Sequence, residues 1–181
     1  MDNINLKGNI VNLRSLTVND AGEEYMNWLN DPEINQYLES RYSSHSIDDI
    51  RKFISSVSTE NNAILGMFDL KNNTHIGNIK LGPINTKHQR ADIGLLIGNK
   101  SYWGKGIATE AIALVTTFAF DELKLAKVTA GCYANNIGSQ KSFFKNGFII
   151  EGVQKNHFFY QGKFVDGIML GKLNESFKLN G

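Results

Sequence analysis

The sequence predicts one α/β (α+β) domain with helices packed on a largely antiparallel sheet. Three observations predict it. At 181 residues the chain has the length of a single domain, and a chain of that size buries about 70% of its unfolded surface without staples. Short apolar runs bounded by Gly, Asn and Asp alternate with stretches of helical spacing. Their order is strand, two or three helices, three strands, helix, strand, helix, two strands. One of the strands runs directly into glycines that open a long helix.

Each element has its own signal. Residues 9–16 read as a strand with Ile10, Leu13 and Leu16 apolar. Asp20 is expected to cap a helix ending at Leu29, with Tyr25, Trp28 and Leu29 at helical spacing. Asp31-Pro32 breaks it, and residues 33–38 resume it briefly. Ser46 followed by Asp49 resembles a capping box ahead of a helix with Ile47, Ile50, Phe53, Ile54 and Val57 on one face. Residues 63–70 and 75–81 read as strands joined by a Lys-Asn-Asn-Thr turn. Residues 91–98 form the next strand. A helix is expected over 104–123, with Ile107, Ala111, Leu114, Val115, Phe118 and Ala119 as its stripe. Residues 127–133 are again a strand, and 136–146 a short helix stopped by Gly147. Residues 148–159 and 163–173 close the domain as a hairpin through Tyr160-Gln161-Gly162.

Composition excludes several functions. The single cysteine, Cys132, rules out an internal disulfide framework and Cys-rich zinc sites, and it reads as a buried, inert strand residue. His45, His75, His88 and His157 lack metal-ligand spacing. A formal net charge of +1 argues against a nucleic-acid binder, which carries a large basic excess. No uncharged apolar run approaches the 18 residues of a membrane span, and the first residues do not resemble a signal peptide. A cytoplasmic protein with no membrane contact is expected. The near-zero charge conceals an asymmetry. Residues 20–50 hold eight acids (Asp20, Glu23, Glu24, Asp31, Glu33, Glu39, Asp48, Asp49) against Arg41, a balance of −7. Residues 100–147 hold six lysines against Glu110, Asp121 and Glu122, a balance of +3. The pattern fits either two solvated faces or one cationic and one anionic ligand.

The most informative stretch is Gly98 to Glu110, where Gly104 and Gly106 lead from a strand into a helix. Such a turn presents backbone N–H groups and the positive end of a helix to a phosphate. The spacing of Gly98 and Gly104-Lys105 is one residue too long for a triphosphate-binding loop, and Gly106 stands where that loop needs Ser or Thr. Thr109 stands where a dinucleotide fingerprint needs its third glycine.

Tyr102-Trp-Gly-Lys-Gly-Ile-Ala-Thr-Glu-Ala111 resembles the acetyl-CoA pyrophosphate loop of the GNAT superfamily of N-acetyltransferases, Gln/Arg-x-x-Gly-x-Gly/Ala. Gly106 and Ala108 match its last two defined positions, and Trp103 stands at the first. That departure is similar to the branch that acetylates ribosomal-protein N-termini, with relatives acting on polyamines, antibiotics and amino sugars. Asn136-Ile-Gly-Ser139 followed by Phe144-Lys-Asn-Gly-Phe148 resembles a second motif of the same family, Asn-x-x-Ser…Lys-x-Gly-Phe.

The resemblance implies a mixed sheet splayed between its fourth and fifth strands, with helices on both faces. It implies acetyl-CoA as co-substrate and no metal. The pantetheine arm would lie in the gap on the backbone of Leu95, Leu96 and Ile97. Backbone N–H groups of Trp103, Gly104, Lys105, Gly106, Ile107 and Ala108 would take the pyrophosphate. Asn136 would meet pantetheine, as would Ser139 unless it caps its helix; Lys145 and Lys141 would face phosphates. Asp92 matches a position that commonly carries Glu and is the expected general base for an amine of pKa about 10.4. Phe143 stands where the family often has a tyrosine acid, leaving Tyr133, Ser142 or solvent to protonate the thiolate. Tyr25, Trp28, Arg41 and His157 are expected on the acceptor side. The acceptor is a small amine (an amino-sugar nucleotide or a polyamine) or a protein N-terminus, and homodimers are common in the family. Two rival functions fit the same residues: a catalytically weak coenzyme A-binding module, and an interaction protein docking a basic partner on the acidic helices.

Overall fold

A computed structural model describes residues 3–57 and 61–177. The strands are β1 (Asn5–Lys7), β2 (Val11–Ser15), β3 (Ala63–Asp69), β4 (His75–Leu81), β5 (Arg90–Ile97), β6 (Lys127–Tyr133), β7 (Ile149–Tyr160) and β8 (Lys163–Leu173). The helices are α1 (Glu23–Asn30), α2 (Pro32–Asn35), α3 (Ile47–Val57), α4 (Ile107–Asp121) and α5 (Ile137–Phe144). The eight described strands form one mixed sheet in the order β1-β2-β3-β4-β5-β6-β8-β7.

Every neighbouring pair is antiparallel except β5–β6, which is parallel and brief. Its register covers only Arg90–Lys127, Ala91–Val128 and Asp92–Thr129. Beyond Asp92, β5 stays with β4 through the pairs from Ile93–Leu81 to Ile97–Gly77. All seven residues of β6 stay with β8, from Lys127–Leu173 to Tyr133–Gly167. Each strand is committed to a different antiparallel partner, so the two diverge and leave a wedge in the middle of the sheet.

Two apolar clusters cover the two faces. The larger joins Val11, Leu13, Leu65, Met67, Ala91 and Ile93 to Ile107, Ala111, Ile112 and Val115 of α4 and Phe143 of α5. The smaller joins Leu16, Ile64 and Phe68 to Tyr25 and Trp28 of α1 and to Ile50, Ile54 and Val57 of α3. Alternation along the strands decides which side chain joins which cluster. None of the described helices is long and apolar enough to cross a membrane.

Several boundaries differ from expectation for local reasons. α4 begins at Ile107, not Gly104, because Gly104 and Gly106 have φ of +73° and +84° and lie outside the helical region. Asp20 does not cap α1; Gly22 does. The Asp20 carboxylate instead accepts from the Thr17 N–H and from both terminal nitrogens of Arg14, at 2.6–3.0 Å. Asp31-Pro32 breaks the helix as expected, and Pro32 also opens α2, with Asp31 accepting from the Glu33 N–H at 2.8 Å. β1, three residues long, carries too little pattern to be foreseen.

The β1–β2 turn is tied to α4 by Glu110. Its carboxylate accepts from the backbone N–H groups of Asn9, Ile10 and Val11 at 2.7–2.9 Å and from the Asn9 side chain at 3.1 Å. Burial opposes ionisation, but these donors outweigh it and hold Glu110 below the usual carboxylate range. The bound form is the anion, so its stabilisation is complete above the unfolded-state pKa and is lost as pH falls through the depressed native value. Glu110→Gln is expected to lower the thermal midpoint by about 5 °C at pH 7. The gap to the parent protein should narrow as pH falls through the ordinary glutamate range and close below the depressed native value, as a calorimetric pH series would show.

Candidate active site

The wedge, the glycine turn and a cavity beside α1 and α3 meet along β5. Gly82 N–H donates to Asp92 O at 2.8 Å and Gly98 N–H to Ile76 O at 2.9 Å. Even-numbered residues of β5 therefore spend their backbone groups on β4, while Ile93, Leu95 and Ile97 turn theirs toward the wedge. Leu96 is directed to Asn78 of β4, which corrects the expectation that three consecutive residues face the gap. The Ile97 carbonyl is already engaged: the Trp103 indole N–H donates to it at 2.9 Å, folding the half-exposed ring back onto the strand end.

Past Ile97 the chain makes a short turn over Lys100–Tyr102, held by Asn99 accepting from the Ser101 N–H at 3.0 Å. Gly104, Lys105 and Gly106 are exposed. No side chain caps α4 at Gly106, so the first N–H groups of this 15-residue helix have no partner within it. Lys105 extends over the Tyr102 ring, its Nζ 5.5 Å from the centroid. The turn thus offers donors, partial positive charge and one ammonium to an anion.

On the opposite side of the wedge, Asn136 caps α5 by accepting from the Ser139 N–H at 3.2 Å. Asn136, not Ser139, is the cap. Asn146 Nδ2 bridges Thr109 O and Ser142 O, both at 2.9 Å, and fastens α5 to the first turn of α4. Gly147, at φ +78°, ends the helix. Lys145 and Lys141 are exposed. Ser142 donates to Gly138 O at 3.0 Å, so its proton is spent inside its own helix. Phe143 is 2% exposed and packs edge-on against Phe148.

Asp92 stands on the last rung before the wedge, and its Oδ1 accepts from the Thr129 hydroxyl on β6. No ion pair joins it to Arg90 among the described residues. Its side chain shares a face with Gly94 and Leu96. Gly94 is exposed, and a Cβ built there meets nothing within 4 Å.

That face opens into a 370 Å³ cavity floored by Asn78, Lys80, Gly94 and Leu96 and roofed by Tyr25 and Phe53. Burial pushes the Tyr25 phenol up to about 12, against the opposing pull of the Asn78 amide. His75, beneath α1, is held below the usual imidazole range by burial and donates from Nε2 to Asn78 Oδ1 at 2.8 Å. A second, polar cavity of 460 Å³ lies between α2 and the β7–β8 turn, lined by Asn35, Gln36, Arg41 and Tyr160.

The expected acceptor residues separate. Tyr25 lines the apolar cavity. Trp28 is 6% exposed and packs in the smaller cluster, its ring against Gly98, where an added Cβ would lie 1.9 Å away. Trp28 is a core residue and lines neither cavity. His157 lies edge-on to Phe158 and also lines neither. Both terminal nitrogens of Arg41 are engaged: Nη1 donates to Gln36 O, Leu38 O and Tyr133 Oη (2.6 Å), and Nη2 to Tyr42 Oη and Phe159 O. Tyr133 in turn donates to Glu39 Oε1 at 2.5 Å and stacks on Phe158. Burial, and then Glu39, push its phenol up to about 12. Sequence reasoning missed this network, because its members are dispersed from residue 36 to residue 159.

The charge blocks also meet. Lys100 pairs with Asp31 at 2.8 Å and Glu33 at 2.5 Å, so a lysine beside the glycine turn neutralises acids of α2. Cys132 is buried, and burial raises its thiol to about 11, leaving it inert. Among the described residues no group of three His, Cys, Asp or Glu side chains is arranged to hold a metal ion.

The profile of the acetyltransferase (GNAT) domain family matches residues 11–149. The chain belongs to the GNAT acetyltransferases. This GNAT domain is 31% identical to a probable N-acetyltransferase, YjcK, of Bacillus subtilis (strain 168), over 93% of this chain and 97% of that one. In fold it is similar to the Vibrio cholerae spermidine N-acetyltransferase solved with CoA and spermine. The TM-score is 0.82 at 24% identity, covering 92% and 97% of the two chains. It is also similar to RimL, the ribosomal L7/L12 alpha-N-protein acetyltransferase solved with coenzyme A. The TM-score there is 0.82 at 17% identity, covering 94% and 98%. The protein is an N-acetyltransferase with the single-domain GNAT fold, in an open eight-stranded mixed sheet.

These contacts identify Arg41 as the tie that holds residues 36–42 over β6. Arg41→Met is expected to accelerate amide exchange across 36–42 about tenfold, with the exchange of α4 unchanged. Hydrogen-exchange mass spectrometry reads both segments in one experiment.

Proposed function

We propose that the domain transfers the acetyl group of acetyl-CoA to a primary amine that enters from the α1–α3 face. The observation that carries this reading is the double service of β5. Its odd residues offer an unpaired backbone edge to the wedge, and its even residues open at Gly94 into the 370 Å³ cavity. The groups present fit coenzyme A: an extended arm finds backbone partners at Ile93 and Leu95, and a pyrophosphate finds the exposed Gly104–Gly106 turn and the uncapped start of α4. Asn136 and Ser139 flank the wedge, with Lys145 available to the outer phosphates.

When bound, acetyl-CoA supplies the acetyl thioester and departs as the thiol. Asp92, oriented by Thr129, accepts the proton of the incoming ammonium directly or through one water. The amine nitrogen then forms the new C–N bond as the C–S bond breaks, and the second proton it sheds passes to water. The thiolate takes its proton from water, because Ser142 has spent its own on Gly138 and Tyr133 holds its own against Glu39. Tyr133 acts as a positioning residue that keeps residues 36–42 over the acceptor face. A cytoplasmic location fits a reaction that consumes acetyl-CoA.

Two substitutions test this reading. Gly94→Leu fills space that no protein atom occupies, at a residue of negative φ. It is expected to raise the acceptor KM at least about tenfold, with coenzyme A affinity within about twofold by calorimetry. Equal weakening of both would place the acceptor elsewhere. Asp92→Asn is expected to lower kcat/KM by about 10²–10³ at neutral pH, with partial recovery at high pH, where more amine is already unprotonated. An unchanged pH–rate profile would remove Asp92 from the mechanism.

A further inference from the structure

The floor of the apolar cavity carries two donors that no well-formed hydrogen bond or ion pair engages among the described residues. Asn78 is 5% exposed, and its Nδ2, whose nearest acceptor is the Tyr25 phenol, makes no hydrogen bond of good geometry. His75 fixes the orientation of the amide by holding its Oδ1. Lys80, two residues on and therefore on the same face of β4, lines the same cavity and has no ion pair or hydrogen bond among the described residues. In register, Lys80 faces Gly94 and Asn78 faces Leu96. The two donors thus sit beside the opening through which an acceptor would reach the wedge.

The remaining lining is mostly apolar, chiefly Leu29, Leu38, Ile50, Phe53 and Ile64, with Ser40, His45 and Asp49 as its polar members. Its single acid, Asp49, accepts from the Ser46 N–H at 3.0 Å and hydroxyl at 2.6 Å as part of a helix cap. A polyamine brings two or more ammonium groups and would meet one preoccupied carboxylate and an opposing lysine. A buried amide donor and an unpaired ammonium side by side instead match one carboxylate. The 370 Å³ volume is near the lower end of small-molecule sites, which run about 300–1,000 Å³.

We propose that the acceptor is an apolar α-amino acid, its carboxylate bound by Lys80 and Asn78, its side chain among Leu29, Ile50 and Phe53, and its amine at Gly94. This rests on the acetyltransferase reading above and adds the substrate class. The transfer is the same amide-forming step, with the α-amino proton leaving through Asp92, so no further reactant is needed.

The test uses the full chain with acetyl-CoA and follows thiol release and acetylated product. The acceptors are leucine, methionine and phenylalanine, leucinamide and phenylalaninamide as carboxylate-free partners, and spermidine. The expected result is a kcat/KM at least about tenfold higher for the acids than for their amides or for spermidine, the scale of one charge-assisted contact. Lys80→Met should raise the KM for leucine about tenfold while leaving that for leucinamide, the kcat and coenzyme A affinity nearly unchanged. Amides used as well as acids, or spermidine preferred, would overturn the substrate class and leave the acetyltransferase reading standing. Coenzyme A bound without transfer to any of the six would overturn both.

Discussion

Three rungs of parallel ladder hold β5 to β6, and beyond them residues 93–97 run with one edge unpaired. An open strand edge inside a sheet leaves backbone donors and acceptors that demand a partner. The rest of the domain is arranged around that demand. α4 crosses from the end of β5 to the start of β6, so its N-terminus and the glycine turn lie at the mouth of the wedge. α5 follows β6 and closes the opposite wall, with Asn146 locking the two helices together. The wedge persists because each flanking strand is held along its other edge by a different antiparallel neighbour, which keeps the two apart.

The α1–α3 face is joined to the cofactor side more closely than its charge pattern suggests. Trp28 lies against Gly98 at the end of β5, and Lys100 of the adjoining turn grips Asp31 and Glu33. The roof of the apolar cavity and the phosphate-facing turn therefore share anchors. Glu39, Tyr133 and Arg41 fix the other end of the roof to β6. The two ligands expected here would be presented by one connected frame.

Local pattern revealed most of the fold. The periodicity of α4, the Ser46–Asp49 cap of α3 and the glycine stop after α5 are short-range signals, and each element is present. Gly104 and Gly106 marked the turn itself, although their left-handed φ places them before the helix instead of within it. The acceptor side was less legible. Tyr25 and Trp28 are both aromatic residues on one helix, yet three positions along the helix turn one toward the cavity and leave the other beneath Gly98. Arg41 among acids suggested a ligand contact, but its partners are carbonyls and phenols from distant segments. Asn78 and Lys80 gave no warning in sequence. Polar residues alternating within an apolar strand commonly face solvent, and only the helices packed over β4 turn that face into a cavity floor.

The division of labour along β5 also constrains the chain's length. Backbone edge and side-chain face alternate with a period of two, so each residue's duty is set by whether its position is odd or even. Losing one residue between Asp92 and Ile97 would preserve the composition of the strand but invert every duty after it. Ile97, which now packs on the larger cluster, would turn to the cavity face, and a loss before Gly94 would turn the glycine that leaves the opening clear toward the core. Tolerance to insertion and deletion should therefore be lowest in this one strand. Changes of two residues, which restore the alternation, should be less harmful there than changes of one.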